Sequence, residues 1–404
     1  MKIKMYQLIL LAGVALSACG QPSSTNLDHA LALVDSMTVD DTTLAYILIY
    51  ADAPDYQPVV AQGEGITCVD DVGRFLEVLE FSILKDGRCD LIPVARGMTR
   101  FLLYMSRLDG LWYNFMEADG SVNRTHQNSI AQFGWWAIRG LRGLAAAYNI
   151  LSETAPADPL LPLIEQRVKT VDGPIAGLLE KYPQYVDTPA GKKPAWMPAG
   201  APDQTSELVL ALAKLHRTGK FDYYQPIKQF SQALVATQLQ QPGHDLNGMY
   251  FCWESIWHGW GNNQSLALLS AYKITAEPAF LGSVIIWADN FVPFIVEHQF
   301  PRRLVLNTDG SYDIIDYPQI AYGTNAVYQG IRTLANLTGS NVYQKQAEQV
   351  YAWFLGNNRL GTALYDLASG RCYDGINGPG SINLNSGAES TIECLLATQL
   401  RSAQ

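Results

Sequence analysis

The sequence predicts an all-α fold in which six helical hairpins close into a ring, an (α/α)6 toroid. Two observations lead to this prediction. Helical apolar patterns recur along the whole chain, and patterns that are apolar on nearly every side alternate with patterns that have one polar face. A helix that is apolar all round is buried, whereas an amphipathic helix faces solvent on one side. We therefore expect two concentric rings of helices in one domain spanning residues 27–404.

The inner helices are predicted from six polar motifs, each just ahead of apolar residues at positions i, i+3 and i+4. The motifs contain Ser, Thr, Asp and Asn, which are preferred at helix starts. They are separated by 58, 76, 59, 59 and 66 residues, which is longer than the roughly 34–47 residues of open helical solenoids. The motif anchors are Asp70, Asn128, Gln204, Asn263, Tyr322 and Ala388.

The outer helices are predicted from a second helical pattern that follows each of the first five motifs. These patterns span residues 91–108, 160–181, 221–239, 278–297 and 342–355. The last inner helix, 391–401, ends the chain, and a helical pattern at 27–37 lacks a partner, so we expect these two to pair and close the ring. Strand patterns are short, at 43–50 and 304–306.

The six motifs define a predicted binding site. Inner helices of a two-ring barrel run parallel, so the six motifs meet at one end of the ring, which we call the mouth. Helix N-termini there present free N–H groups and the positive ends of the helix dipoles. Such a site suits polar, hydroxylated or anionic ligands.

Composition narrows the class of ligand. Of 404 residues only 16% are charged, against about 25% in a typical soluble domain. The net charge of −10 argues against a nucleic-acid partner, because phosphate binding needs a basic surface. The chain is rich in aromatic residues, with 9 Trp, 21 Tyr and 13 Phe, and sugar rings stack on aromatic faces. We therefore expect a poly- or oligosaccharide ligand.

The N-terminus has the features of a secretory signal. Lys2 and Lys4 precede an apolar run from Leu8 to Leu16, which is too short to span a bilayer. The next residues include Cys19, and the segment resembles a bacterial lipobox. We expect a lipoprotein signal peptide at 1–18, lipidation of Cys19, a tether at 19–26, and attachment to the bacterial envelope, with the outer membrane favoured, through the lipid alone.

Six segments resemble a group of bacterial helical-toroid proteins, some of which occur fused to glycosyltransferases or beside mannoside-processing enzymes. The segments are residues 65–74 (GITCVDDVGR), 135–141 (WWAIRGL), 353–358 (WFLGNN), 364–366 (LYD), 370–376 (GRCYDGI) and 383–391 (NLNSGAEST), and the match is strongest near the end of the chain. The resemblance implies the (α/α)6 fold and a carbohydrate context. Many relatives place acidic residues just before the second inner helix, where this chain has Gln127 and Asn128.

Carboxyl groups at the mouth are the leading catalytic candidates. Asp70 and Asp71 open the first inner helix and Glu389 opens the sixth, and ring closure makes these helices neighbours. Glycoside hydrolysis needs one carboxyl to protonate the leaving oxygen and a second to activate water or attack carbon. Asp71 and Glu389 are the preferred pair, since Asp70 also suits helix capping.

A second set of residues indicates a polysaccharide lyase. In β-elimination on a uronate, His or Tyr moves the protons, and His258 and Tyr322 are the candidates for this. The motif positions carry few cations to meet a uronate, because Arg74 and Arg139 lie within the predicted helices. A non-catalytic glycan-binding lipoprotein is the third alternative.

The remaining polar and aromatic motif residues are predicted to bind substrate. They are His126, Asn128, Asp203, Gln204, Trp257, Trp260, Asn263, Gln264, Asn325 and Asn385. No cofactor is predicted, and no phosphate-binding loop or zinc-ligand spacing is present. Beyond Cys19 five scattered cysteines remain, which are typical of small buried hydrophobic residues.

Overall fold

The computed structural model describes residues 25–60, 62–188 and 191–403. Its helices in chain order are α1 (Asp28–Ala32), α2 (Val69–Leu84), α3 (Ile92–Met105), α4 (Trp135–Thr154), α5 (Leu160–Lys169), α6 (Asp172–Leu179), α7 (Pro202–Arg217), α8 (Tyr224–Ala236), α9 (Gln264–Thr275), α10 (Pro278–Ile286), α11 (Val292–Glu297), α12 (Ala321–Thr338), α13 (Asn341–Tyr351) and α14 (Ala388–Ser402). The segments predicted as a signal peptide and a tether, with Cys19, lie outside the described residues except for residues 25 and 26.

The predicted inner ring is confirmed. Helices α2, α4, α7, α9, α12 and α14 each contact the next, and α14 contacts α2 to close the ring. Helices α2 and α4 pack closely, and a Cβ on Gly73 would lie 2.5 Å from the carbonyl oxygen of Arg139. Residues 208–213 of α7 are all buried, as expected for a helix that is apolar on every side.

The five predicted outer helices are also present. Helix α3 contacts α2 and α4, α8 contacts α7 and α9, α10 contacts α9, and α13 contacts α12. The helix predicted at 160–181 is divided into α5, which contacts α4, and α6. A π-helical turn joins α10 to α11, and the resulting segment Pro278–Glu297 is long and apolar enough to cross a membrane by length and composition. Half of its most apolar stretch is buried within the toroid.

Short strands lie in the segments that connect the helices. They are β1 (Val34–Val39), β2 (Thr42–Ile47), β3 (Tyr50–Asp52), β4 (Gln57–Val59), β5 (Thr67–Cys68), β6 (Phe115–Met116), β7 (Tyr185–Thr188), β8 (Gly191–Pro194), β9 (Ile256–His258), β10 (Arg303–Leu306), β11 (Tyr312–Ile315), β12 (Gln319–Ile320), β13 (Tyr365–Asp366), β14 (Arg371–Cys372), β15 (Gly375–Gly378) and β16 (Ser381–Asn383). The larger sheets have strand orders β11-β10-β9 and β12-β15-β16. Both strand patterns predicted from the sequence are confirmed, by β2 with β3 and by β10.

The predicted helix at 27–37 is wrong. Only α1 is helical, and an antiparallel hairpin of β1 and β2 follows it. The hairpin turns at Asp40 and Asp41, both at positive φ, as a tight two-residue β-turn requires. Helix α1 contacts α14, and β2 packs on α2 and α3, so this mixed segment takes the place of a sixth outer helix.

The predicted start of the second inner helix is also wrong, because α4 begins at Trp135 rather than beside Asn128. Ser129 does not cap a helix; its hydroxyl donates to the carbonyl of Asn123 (2.6 Å) and accepts from the N–H groups of Asn114 (3.0 Å) and Phe115 (2.9 Å). The motif containing Asn128 therefore belongs to a loop against β6.

The polar motifs do not act as side-chain caps. Of the six inner helices only α2 has a side-chain cap, in which the Cys68 sulfur accepts the N–H of Asp71 at 3.4 Å. The motif side chains are instead available to the mouth and to polar contacts between helices.

Candidate active site

A cavity of about 960 Å³ opens at the mouth, where the N-terminal ends of five inner helices meet the surrounding loops. All five residues proposed as catalytic line it, as do five of the ten proposed to bind substrate. These ten residues are Asp70, Asp71, Asn128, Asp203, Gln204, His258, Trp260, Tyr322, Asn385 and Glu389. Helix α9 contributes no lining residue.

Arg74 on α2 connects the carboxyl groups on one side of the cavity. Its two Nη atoms donate to Oε2 of Glu389 (both 3.0 Å), Nη1 donates to Oε1 of Glu393 (3.0 Å), and Nη2 lies 3.3 Å from Oδ1 of Asp71. Asp71 and Glu389 thus come together as expected. They share one guanidinium, however, rather than facing each other across open space.

The two carboxyls differ in exposure. The Asp71 side chain is 3% exposed, whereas that of Glu389 is 45% exposed and faces the cavity. Burial raises the pKa of Asp71 to about 6, with Glu389 and Asp70 adding to the effect and Arg74 opposing it. Glu389 is therefore the carboxylate of this pair that a ligand would meet directly.

Asp374, between β14 and β15, is a cavity residue that the sequence analysis missed. Burial raises its pKa to about 6; a hydrogen bond with Ser390 opposes this, and the charge of Glu389 adds to it. The side chain of Asn383 donates to Oδ2 of Asp374 at 3.1 Å.

In the sequence Asp374 belongs to the segment 370–376 of the resemblance, but the Asp-Gly pair there predicts a turn. In the structure Gly375 begins β15 instead. Its backbone passes so close to β12 that a Cβ would lie 1.9 Å from the carbonyl oxygen of Gln319.

A second series of polar side-chain contacts leads from Asp70 to Glu207. Arg139 Nη1 lies 3.2 Å from Oδ1 of Asp70, and Arg139 Nη2 donates to the Tyr322 hydroxyl at 2.7 Å. That hydroxyl in turn donates to Oε1 of Glu207 at 3.3 Å. Burial raises the pKa of Tyr322 well above its ordinary value, so this phenol stays protonated and its oxygen is already engaged.

Glu207 lies deeper in the ring and has no exposed carboxylate. Burial acts to raise its pKa, but the guanidinium groups of Arg142 and Arg139 outweigh burial and lower the pKa to about 2. Asn263 donates to the same carboxylate at 2.8 Å. Asn325 similarly donates to Glu393 at 2.6 Å.

Five residues predicted to bind substrate do not line the cavity. Asn263 and Asn325 are buried behind it on Glu207 and Glu393, as just described. Gln264 is buried and donates to the carbonyl of Phe251 (3.2 Å), and Trp257 lies in the core against Phe291, with ring centroids 5.5 Å apart. His126 packs edge-on against Phe115 in the loop displaced from α4. Four of these side chains are buried in interior contacts, and His126 is half-buried in its loop, so the prediction that these five residues line the cavity is wrong.

His258, at the end of β9, lies against the first turn of α7. Its Nε2 is 3.3 Å from Oδ2 of Asp203, its Nδ1 is 2.5 Å from the carbonyl oxygen of Trp260, and its ring stacks on that of Trp260 with centroids 4.1 Å apart. Burial acts to lower the pKa of His258, but Cys252 and Asp203 outweigh burial and raise the pKa to about 10.

Aromatic rings and acidic groups dominate the cavity wall. Four tryptophans line it, and Trp253 is the most exposed of them, at 48%. Six lining residues are acidic, against two arginines, both of which are paired with carboxylates: Glu64, Asp70, Asp71, Asp203, Asp374 and Glu389. The described part of the cavity is therefore acidic.

The two arginines were dismissed at the sequence level because they lie inside helices. Arg74 follows Asp70 by four residues, and Arg139 follows Trp135 by four residues. Residues four apart share one helix face. That spacing could have placed both arginines on the cavity side of their helices.

No protein-family model and no curated protein matches the chain. A cellobiose 2-epimerase from Spirochaeta thermophila superposes with a TM-score of 0.64 at 14% identity, covering 94% of both chains. A D-mannose isomerase superposes with a TM-score of 0.61 at 10% identity, covering 91% of this chain and 93% of the isomerase. A family 76 glycoside hydrolase from a bovine Bacteroides thetaiotaomicron strain superposes with a TM-score of 0.54 at 14% identity. The match covers 89% of this chain and 72% of the hydrolase. Similarity at these identities establishes the (α/α)6 toroid fold.

Proposed function

We propose that this chain is a glycan-active enzyme, and specifically a glycoside hydrolase that acts in the mouth cavity. One observation carries the proposal: Asp374, a carboxyl of raised pKa, and Glu389, a carboxylate bound by Arg74, line the same cavity, whose wall also presents tryptophan rings. A saccharide substrate is also supported by the descriptions of the similarly folded proteins, which are sugar epimerases, a sugar isomerase and glycoside hydrolases.

The two carboxyls suit the two halves of glycosidic hydrolysis. Asp374 has a pKa of about 6, so it remains protonated at weakly acidic pH. It can then donate this proton to the glycosidic oxygen as the bond to the anomeric carbon breaks. Glu389 can then take a proton from the attacking water or bond to the anomeric carbon itself. Asp71, buried against Arg74, helps to hold the guanidinium group that binds Glu389.

The substrate we expect is a neutral glycan. The six lining carboxyls repel a polyuronate, and both lining arginines are already paired with carboxylates. A polysaccharide lyase is therefore the weaker alternative, and the Tyr322 hydroxyl assigned to it is held by Arg139 and Glu207.

Glycan-array binding followed by product analysis tests the proposal. Neutral oligosaccharides that bind should be cleaved to new reducing ends, and Glu389→Gln or Asp374→Asn should lower turnover by about 10²–10⁴-fold with binding and fold retained. Glu153→Gln, at the exposed far end of α4, is the matched control. Unchanged turnover in both cavity variants would refute the roles assigned to Glu389 and Asp374. Ultraviolet absorbance of an unsaturated uronate product would indicate a lyase, and binding without any product would indicate a glycan-binding protein.

A sugar 2-epimerase or isomerase is a second candidate. The specific observation favouring it is the extent of the similarity to a cellobiose 2-epimerase, which covers 94% of both chains. Such a reaction removes the proton at the carbon beside the carbonyl group of a reducing sugar. Incubating reducing disaccharides with the protein in D2O would place deuterium at C2 of the recovered sugar; a hydrolase would leave C2 unlabelled.

Attachment to the envelope through a lipid on Cys19 remains part of the proposal. The support is the arrangement of Lys2, Lys4, the apolar run and the lipobox-like residues before Cys19. A tethered toroid with an open mouth would act on glycans close to the membrane that carries it.

A further inference from the structure

Beside the proposed hydrolytic carboxyls, the cavity has a second group of reactive side chains. The ligand atoms of Asp203, Cys252 and His258 all lie within 4.8 Å of one another, and all three residues are buried. Asp203 and His258 line the cavity, and Cys252 lies behind them. We propose that these three residues form a mononuclear Zn²⁺ site whose fourth coordination position opens on the cavity.

The donor set matches zinc. Zn²⁺ takes Cys sulfur, His nitrogen and Asp oxygen in tetrahedral sites, and three protein ligands with one open position are typical of catalytic rather than structural zinc. Asp203 Oδ2 and His258 Nε2 are 3.3 Å apart, a separation that fits neighbouring corners of a zinc tetrahedron with bonds of about 2.0–2.2 Å.

The backbone holds the three ligands in place before any ion binds. The N–H of Asp203 donates to the carbonyl of Cys252 (3.3 Å), so α7 is joined to the loop that carries the thiol. The N–H of Cys252 donates to the carbonyl of Ile256 (2.8 Å), which closes that loop onto β9, the strand that ends in His258. Little conformational entropy remains to be lost on binding.

Contacts beyond the ligands orient them as zinc sites require. Histidine ligands commonly donate their second ring N–H to a backbone carbonyl, and His258 Nδ1 lies 2.5 Å from the Trp260 carbonyl, which leaves Nε2 for the metal. Asp203 Oδ1 accepts the N–H of Gln204 (2.6 Å), so Oδ2 remains the ligand oxygen.

A buried amide beside the cluster is the second, independent observation. Gln264 is fully buried, its Nε2 lies 3.8 Å from the Cys252 sulfur, and its Oε1 has no hydrogen-bond partner. A buried polar atom without a partner is costly. The Nε2 group of this amide faces the Cys252 sulfur and would donate to a zinc-bound thiolate, which leaves the fourth coordination position free.

The charges balance with zinc bound. A thiolate, a carboxylate and a neutral imidazole neutralise Zn²⁺, so the buried cluster carries no net charge. This site does not depend on the proposed hydrolase activity, and it can be tested by metal binding alone, without any turnover.

Metal binding by the full chain, stripped with a chelator, is the test. We expect one Zn²⁺ per chain, a rise in the unfolding temperature on adding zinc, and, with Co²⁺ in its place, a sulfur-to-cobalt charge-transfer band with the visible bands of tetrahedral cobalt. Cys252→Ser should abolish the charge-transfer band and weaken zinc binding at least tenfold. Cys89→Ser, which alters an exposed cysteine, is the matched control and should change neither.

The proposal is overturned if the wild-type protein shows no sulfur-to-cobalt band, or if that band and the zinc affinity survive in Cys252→Ser. If Cys252→Ser fails to fold, the wild-type cobalt spectrum and zinc binding by Asp203→Asn decide the question, since loss of this carboxylate should also weaken binding at least tenfold. An added small anion should shift the visible cobalt bands, and an unchanged spectrum would refute the open coordination position.

Discussion

Replacing Asp71 with Asn should make the protein more stable above neutral pH. The Asp71 carboxyl is buried against Arg74, and its pKa rises from an ordinary value of 3.8 to about 6 on folding. Between these two values the folded protein binds the proton and the unfolded chain does not. Stability is therefore lost as pH rises through this window, and Asn, which never ionises, avoids the loss.

The pKa difference sets the size of the effect. A rise from 3.8 to about 6 corresponds to about 3 kcal/mol of unfolding free energy. We expect Asp71→Asn to exceed the wild type by about 3 kcal/mol at about pH 8 and to match it near pH 4. Under the proposed function the same substitution should also lower turnover, since Asp71 contacts the arginine that binds Glu389.

For the matched variant Glu207→Gln, we expect a change in the free energy of unfolding of the opposite sign. Arg142 and Arg139 lower the pKa of this buried carboxyl from 4.5 to about 2, so its contribution is present above pH 4.5 and lost as pH falls toward 2. The variant should lose about 3 kcal/mol at neutral pH and less in acid. Urea unfolding followed by tryptophan fluorescence measures both, at about pH 4 and pH 8 for Asp71→Asn and at about pH 2 and pH 8 for Glu207→Gln. Changes of equal sign, or changes independent of pH, would refute the reasoning.

Three further predictions concern the cavity rim, the backbone and the N-terminus. Trp253→Ala should weaken glycan binding about tenfold in calorimetry with little change in the unfolding temperature, because this half-exposed ring is available for stacking on a sugar. Gly375→Ala should cost about 2 kcal/mol in urea unfolding because its Cβ would clash with Gln319, whereas Gly282→Ala in α10, where the Cβ meets nothing within 4 Å, should gain about 0.5–1 kcal/mol. Cys19→Ser should move the protein from the membrane to the soluble fraction on cell fractionation, and unchanged membrane attachment would exclude lipidation of this residue.

The hydrophobic periodicity of the sequence predicted the inner ring of helices, because it shows which faces of a helix are buried. The inner helices are largely buried, and the starts of five of the six were located from polar residues ahead of the apolar repeat. The second start was misplaced because Ser129, a residue favoured at helix starts, binds the backbone of a neighbouring loop instead. The N-terminal helix was wrong because the same apolar spacing also suits a hairpin that packs on α3.

The candidate site was predicted in part. Asp71 and Glu389 were paired correctly by ring closure, because residues at the starts of adjacent parallel helices must be neighbours. Asp374 was missed because it lies in a strand connection with no helical periodicity. The cluster of Asp203, Cys252 and His258 was missed because its members come from different elements without any zinc-ligand spacing in the chain.

The sequence by itself determined the architecture and the location of the mouth, because both follow from patterns local to single helices. Hydrophobic periodicity marks which helix is buried, and the polar residues at helix starts mark where the parallel helices end. Only the tertiary structure decided which side chains face the cavity and which carboxyl holds a proton. Those properties depend on partners hundreds of residues away, as in Arg74, whose guanidinium joins Glu389 and Glu393 across the closure of the ring.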